Sequence, residues 1–456
     1  MLAIIIAATA ALVTRLGATD VKTRQLVATQ RALAIARQAV IDYAVVRPDL
    51  VPGQPVALPR PDIDESLGLA EGVAHAASCG ASGETVIGRV PWRTLGVAPP
   101  RDSSSACIWY VVSGGWKEAG PTTSSLINPD SNGQLQVWGV DSATIIEGAI
   151  PSDRPIALLL APMDPVSGQT RVAPGSRQCS AGFAAADYLD LDGASGIDNA
   201  TLAGVADAID VLAVASERHD DHNDRIVSVK RSDIARAVMA RPDFDVRMRG
   251  LTRVIAECVA DYGNQNSGGA VDRRLPWPAP PGLADYRPEN AYDDVDNGVL
   301  SGRLPDVVDD SNAQTGNPVF ALLSACDSTS VVDWTVTNQA LWRHWKDHFY
   351  YVVAESHVPD ATVPSTCSNC LTVNGAGQYV AVVLFANARL DTLAQVRDAP
   401  PTDPDTRDDV NNYLEDRNAA GFPYTGGGLD LLSQAGTATF TDVLFCIDAS
   451  LNVSGC

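Results

Sequence analysis

The chain is 456 residues long, which at roughly 100 to 200 residues per domain implies two or three folded units. Lys and Arg number 33 against 55 Asp and Glu, a net charge of -22, so a sequence-independent hold on nucleic acid would need a local basic patch, and the sequence has none. Hydrophobic residues at 45% and charged ones at 19%, with 36 Gly and 29 Pro, exclude a disordered chain and predict a folded one rich in turns.

The first predicted element is a helix from Leu2 to Val45. No Pro precedes Pro48, and Leu12, Leu16, Leu26, Leu33, Val40 and Ala44 recur along one helical face. At about 1.5 Å per residue it is on the order of 65 Å long, more than a small core covers, so its first half is expected in a membrane or an assembly. That half carries the apolar run Leu2 to Val13, with Leu2, Ile4, Ile5, Ile6, Leu12 and Val13 as candidate assembly residues. The run is shorter than the roughly 20 residues that span a bilayer. An irregular Pro-rich and Asp-rich loop follows, from Arg47 to Gly68. Strands are predicted at Cys107 to Gly114, Leu135 to Val140 and Pro155 to Pro162, bounded by Gly, Pro, Asn and Ser. Ser228 to Gly263 predicts one or two helices broken near Arg241 and Pro242, with Ser232 or Asp233 as N-cap and Gly263 as the stop.

The second half then replays the first. ARQAVIDYA at Ala36 corresponds to IAECVADYG at Ile255, LPRPD at Leu58 to LPWPAP at Leu275, and GRVP at Gly88 to GRLP at Gly302. WYVVSG at Trp109 is answered by YYVVAE at Tyr350, the segment from Pro155 to Arg171 by Tyr379 to Arg397, YLDLDGASGIDN at Tyr188 by NYLEDRNAAG at Asn412, and NDRIVSV at Asn223 by TDVLFCI at Thr441. Matches in one order at a near-constant interval predict two related modules. The expected organisation is a stem helix over 1–45, a first head module over 46–235 and a second over 236–456.

With its apolar amino-terminal helix running into ALAIARQAVIDYA, its LP-x-PD-x-D loop, GRVPWRTLGV, CIWYVVSG, SGQTR, YLD and NDRIVSVKRSDIARAV, the chain resembles the type IV pilins and type II secretion pseudopilins, in particular large prepilin-like exported proteins. The resemblance covers about residues 1–245, and the rest through the internal repeat. It implies an α+β fold: a long N-terminal helix with two tandem pilin-like modules, each a helix packed on a small antiparallel sheet with long loops. It also implies a non-enzymatic minor pilin or pseudopilin, held in the inner membrane facing the periplasm or carried outside the cell in a pilus, whose partners are other subunits met through the helix. The family's basic leader ending in Gly and its Glu near the fifth position of the mature helix are not in this sequence, and the expectation is a coding start upstream of Met1. The competing classes are a tethered adhesin or binding protein and a secreted hydrolase.

Nine cysteines spread from Cys79 to Cys456 fit an oxidising compartment better than a metal cluster. Cys79 with Cys107 is expected to staple the loop before the first strand. Cys367 and Cys370 form a CxxC read as a small disulfide or as partners for Cys326, Cys446 or Cys456, and Cys258 is the expected free thiol. Asp187, Asp190, Asp192, Asp198 and Asn199 surround two glycines in an oxygen-rich turn that could hold calcium, with Asp62 and Asp64 a weaker second candidate. The alternative is a turn whose side chains cap their own backbone. Glu217 to Asp224 (ERHDDHND) and the pair His344 and His348 are weaker cation candidates, the latter beside Trp342, Trp345 and Phe349. The sequence contains no GxSxG, HExxH, P-loop or dinucleotide fingerprint, and the tryptophans are expected in cores.

Overall fold

The computed structural model describes residues 2–50, 56–63, 70–75, 79, 83–118, 127–128, 130–139, 144–173, 177–179, 182–192, 196–202, 205–206, 211–214, 222–265, 273–282, 292–308, 320–326, 334, 336–361, 367, 369–397 and 405–456, with backbone alone for 2–19 and a few element ends. The fold is mixed α and β with mainly antiparallel sheets. It divides into two units, one taking Met1–Leu50 and Val56–Ala237, the other Val238–Cys456.

In the first unit, α1 (Leu2–Leu50) is a single helix, five residues longer at its C-terminal end than predicted and running through Pro48. Strands follow as β1 (Glu84–Arg89), β2 (Trp109–Val112), β3 (Leu135–Trp138), β4 (Ile145–Glu147), β5 (Pro155–Ala161), β6 (Val205–Ala206), β7 (Val211–Val214) and β8 (Arg225–Lys230), then α2 (Arg231–Met239). The main sheet has the order β6-β1-β2-β5-β8, and β4-β3-β7 form a smaller one in which β3 and β7 run parallel. Every residue of β2 and β5 is buried because both faces are covered, which is why they read as unbroken apolar runs. Trp109, Val111, Leu158 and Leu160 on one face form a core with Leu135, Val137 and Tyr188. α1 packs against β5 and β8.

Among the residues of α1 whose side chains are described, burial begins at Thr29. Leu33, Ala36, Val40 and Ala44 are buried at the helical spacing of three to four, whereas Asp20 to Ala28 are all exposed, Val21 at 56% and Val27 at 57%. Polar anchors fix the docked half. The Arg37 guanidinium donates to the Ser228 carbonyl at 2.8 Å and pairs with Asp233 at 2.5 Å, while Tyr43 and Arg47 both reach Glu118, Arg47 at 3.0 Å. Asp233 is therefore not an N-cap: it lies in the first turn of α2, and its carboxylate accepts from the Lys230 N–H at 2.9 Å. Among the described residues no helix is long and apolar enough to cross a membrane.

The second unit holds α3 (Phe244–Asn264), β9 (Ser301–Arg303), β10 (Val307–Val308), β11 (Phe320–Ala321), α4 (Leu322–Cys326), α5 (Val336–Trp345), β12 (Phe349–Val353), β13 (Leu371–Val373), β14 (Ala376–Phe385), β15 (Asp430–Leu431), β16 (Val443–Asp448) and β17 (Val453–Gly455). Its central strands run β9-β12-β14-β16, all antiparallel, as β1-β2-β5-β8 do in the first unit. The registers correspond too: Arg89, Trp109, Leu160 and Ile226 stand side by side across one sheet, and Arg303, Tyr350, Leu384 and Leu444 across the other. α3 packs on β14 and β16 as α1 does on β5 and β8. In both units an LPxP loop runs against the GR strand, with Asp62 bridging Arg89 and Ala279 bridging Arg303. The approach is so close that a Cβ on Gly88 would lie 2.6 Å from the Asp62 carbonyl oxygen, and one on Gly302 2.1 Å from that of Ala279. The shared Gly is there because only hydrogen fits.

Two cysteine expectations are corrected. Cys107 pairs with Cys179, not Cys79, and Cys258 is not free but bonded to Cys326, joining α3 to α4. The free thiol is Cys79, buried, with its pKa pushed up to about 11 by that burial. Cys367 bonds Cys370, and Cys446 bonds Cys456, tying β16 to the residue after β17. Sequence separations of 72 and 68 for the two long-range bridges explain why spacing pointed elsewhere: the partners meet only once the sheet brings their loops together.

Candidate functional site

Asp190 of the aspartate-rich turn and His222 to Asp224, distant in sequence, meet at the start of β8, while Glu217 to Asp221 lie outside the described residues. Asp190 and Asp224 form a reciprocal clasp. The N–H groups of Asn223 and Asp224 donate to Asp190 Oδ2 at 2.5 and 2.9 Å, and the Asp190 N–H donates back to Asp224 Oδ2 at 2.9 Å. Gln169 Nε2 donates to Asp190 Oδ1 and Asn199 Nδ2 to Asp224 Oδ2, each at 2.8 Å. Both carboxylates are buried, and burial together with the neighbouring Asp190 charge pushes the Asp224 carboxyl well above the usual carboxylate range. The Asp224 Oδ1 atom is buried and accepts no hydrogen bond. The His222 ring, also buried, places a nitrogen so that one ligand atom from each of Asp190, His222 and Asp224 lies within 4.8 Å of the others.

The second unit carries the same clasp. Thr441 and Asp442 N–H groups donate to Glu415 Oε2 at 2.9 and 3.1 Å, the Glu415 N–H donates to Asp442 Oδ2 at 3.1 Å, Asn418 Nδ2 to the same oxygen at 2.9 Å, and Gln395 Nε2 to Glu415 Oε1 at 3.4 Å. Two residues beyond each Gln, Arg171 and Arg397 donate to that Gln and to the carbonyl of Tyr188 or Tyr413. Each Tyr ring lies between two guanidiniums, Arg89 and Arg171 at 5.5 and 5.4 Å from Tyr188, Arg303 and Arg397 at 4.4 and 4.9 Å from Tyr413. The chemistry is that of a latch: Asp190 and Glu415 are tied to backbone N–H groups of the segment entering the last central strand, and Asp224 and Asp442 to the N–H of Asp190 and Glu415 in return. One position differs. Where the first unit has His222, the second has Phe440, also buried.

Of the five calcium candidates the structure brings Asp190 and Asn199 to Asp224. Asp187 ends a single 3₁₀ turn, Asp192 holds a backbone turn through its N–H to Ile197, and Asp198 Oδ1 accepts from the Ala200 N–H at 2.9 Å. Asp62 accepts from the Gly72 N–H at 2.7 Å, and Asp64 lies outside the described residues. His348 is packed between the rings of Trp345 and Tyr413, its Nδ1 2.8 Å from the Ala386 carbonyl. Trp109, Trp116, Trp334, Trp342 and Trp345 are all core residues. Leu2, Ile4, Ile5, Ile6, Leu12 and Val13 lie on the helical backbone of α1, their side chains outside the described residues.

Sequence reasoning missed the clasp, because Asp224, Gln169 and Arg171 each belonged to a matched segment and were not read as one set. The signal was there in the paired QTR/QVR, YLD/YLE and ND/TD. Comparison with protein families, with curated proteins and with solved structures finds no match.

The second candidate surface lies along α1. A groove of about 560 Å³ runs beside Arg24, Val27, Arg31 and Ile35 of the helix and Pro99 and Arg101 of the loop after β1. It combines an apolar floor with three guanidiniums on a chain whose net charge is -22.

Proposed function

We propose that the chain is a non-enzymatic, pilin-like subunit of a type IV pilus or type II secretion machine that assembles through α1. The observation that carries this reading is the helix itself: 49 residues unbroken, with Asp20 to Ala28 exposed and its own unit covering one face from Thr29 onward. About 27 residues of helical backbone, on the order of 40 Å, precede Thr29. Its exposed stretch still carries Val21, Leu26 and Val27, and the sequence ahead of it is apolar. Apolar helical surface left in water costs free energy that packing against other helices recovers. Four disulfides among nine cysteines support an oxidising compartment, which in a bacterial setting is the periplasm or the outside of the cell.

The test is sedimentation of the full chain with and without Val21→Glu and Val27→Glu. Neither side chain touches a core, so circular dichroism should be unchanged. The wild type is expected in large assemblies and the double variant as monomer. A wild type that stays monomeric at all concentrations, with or without lipid vesicles, sinks the reading; vesicle binding without self-association would favour a tethered binding protein.

A further inference from the structure

We propose that Asp190, His222 and Asp224 form a binding site for one divalent transition-metal ion of the zinc class. The ligand atoms come from three buried side chains on two segments joined by backbone-to-carboxylate hydrogen bonds, each within 4.8 Å of the others. Zinc bonds of about 2 Å to carboxylate oxygen and imidazole nitrogen need only small side-chain shifts from that spacing. A second observation points the same way. Asp224 Oδ1 is enclosed within the protein with no hydrogen bond to it, although the other oxygen of the same carboxylate has two. The outer partners are in place as well: Gln169 orients Asp190 and Asn199 orients Asp224, the arrangement in which outer hydrogen bonds hold ligating carboxylates.

The second unit is an internal control. Its clasp keeps both carboxylates, the Gln, the Asn and the backbone bonds, but has Phe440 in place of the imidazole. The latch thus works without a histidine, and His222 adds to it a nitrogen ligand that structure alone does not demand. That nitrogen also selects the metal, because calcium takes six to eight oxygens whereas imidazole suits zinc and its neighbours. A cavity of about 280 Å³ lined by Lys22, Gln25, Asp164 and Asn223 lies beside the site, Asn223 being the residue between His222 and Asp224.

Titration calorimetry and elemental analysis of the full chain with zinc chloride, after chelator treatment, test the site. One zinc per chain is expected, with a raised melting midpoint, no equivalent response to calcium chloride, and at least about 100-fold weaker binding in His222→Phe. His222→Phe copies the ring of the second unit and should keep the metal-free midpoint. Asp224→Asn, which retains an acceptor for the Asp190 N–H, should also lose zinc and serves if the first variant fails to fold. No zinc uptake by the wild type, zinc binding unchanged in a folded variant, or calcium bound as tightly as zinc would each overturn the proposal. None of these outcomes depends on whether the chain assembles.

Discussion

Asp442 is a carboxyl whose ionisation the fold disfavours. It is buried beside Glu415, and burial first and the Glu415 charge second push its pKa well above the usual range. A raised carboxyl pKa means the native state binds the proton more tightly than the unfolded chain, so the contribution is whole below the ordinary value of about 4 and is lost as pH rises through the raised one. Asp442→Asn keeps an oxygen for the Glu415 N–H and removes the titration. Relative to this variant the wild type should lose urea resistance steadily from pH 4 to pH 8; parallel curves would remove the argument. Gly302 makes a second residue-scale prediction. Its added Cβ would meet a backbone oxygen at 2.1 Å, which cannot rotate away, so Gly302→Ala should cost about 2 to 4 kcal/mol. Gly250→Ala, where the space is open, should be neutral or slightly stabilising. Equal effects at the two positions would show that the LPxP loop yields.

At the scale of elements, α1 is one helix with an exposed stretch from Asp20 to Ala28 and a docked one from Thr29. Leu33 is 2% exposed against the sheet while Val27 stands 57% exposed, so Leu33→Ala should destabilise by about 2 to 5 kcal/mol and Val27→Ala by less than about 0.5 kcal/mol. Chemical denaturation of the two variants separates them; a comparable loss at Val27 would mean that this part of the helix is docked after all. The apolar period of α1 and the continuous apolar runs of β2 and β5 were legible in sequence because each follows from local chemistry: a helix face against a sheet, or a strand covered on both sides. β1 was not, since Glu84–Arg89 mixes Thr, Gly and charge, and its place in the sheet is set by pairing with β2. The clasp was illegible for a related reason: Asp190 and Asp224 are ordinary acids until the fold lays the turn at Asp190 against the residues that enter β8. Cys107 found Cys179 rather than the nearer Cys79 for the same cause.

The whole molecule is two units, each with its own helix, central four-stranded order and acid latch, and each long disulfide closes a loop inside one unit: Cys107 to Cys179 in the first, Cys258 to Cys326 in the second. Closing about 70 residues restricts the unfolded chain by on the order of 4 kcal/mol in the chain-entropy account, and typical measured losses on removal are about 2 to 4 kcal/mol. Because the bridges do not cross between units, their effects should not cross either. Scanning calorimetry of the full chain is expected to resolve two transitions. Replacing Cys107 and Cys179 by Ser should lower one midpoint, and replacing Cys258 and Cys326 should lower the other. A single cooperative transition that both double variants shift equally would mean the two units unfold as one, and the two-unit description would then hold for geometry but not for energetics.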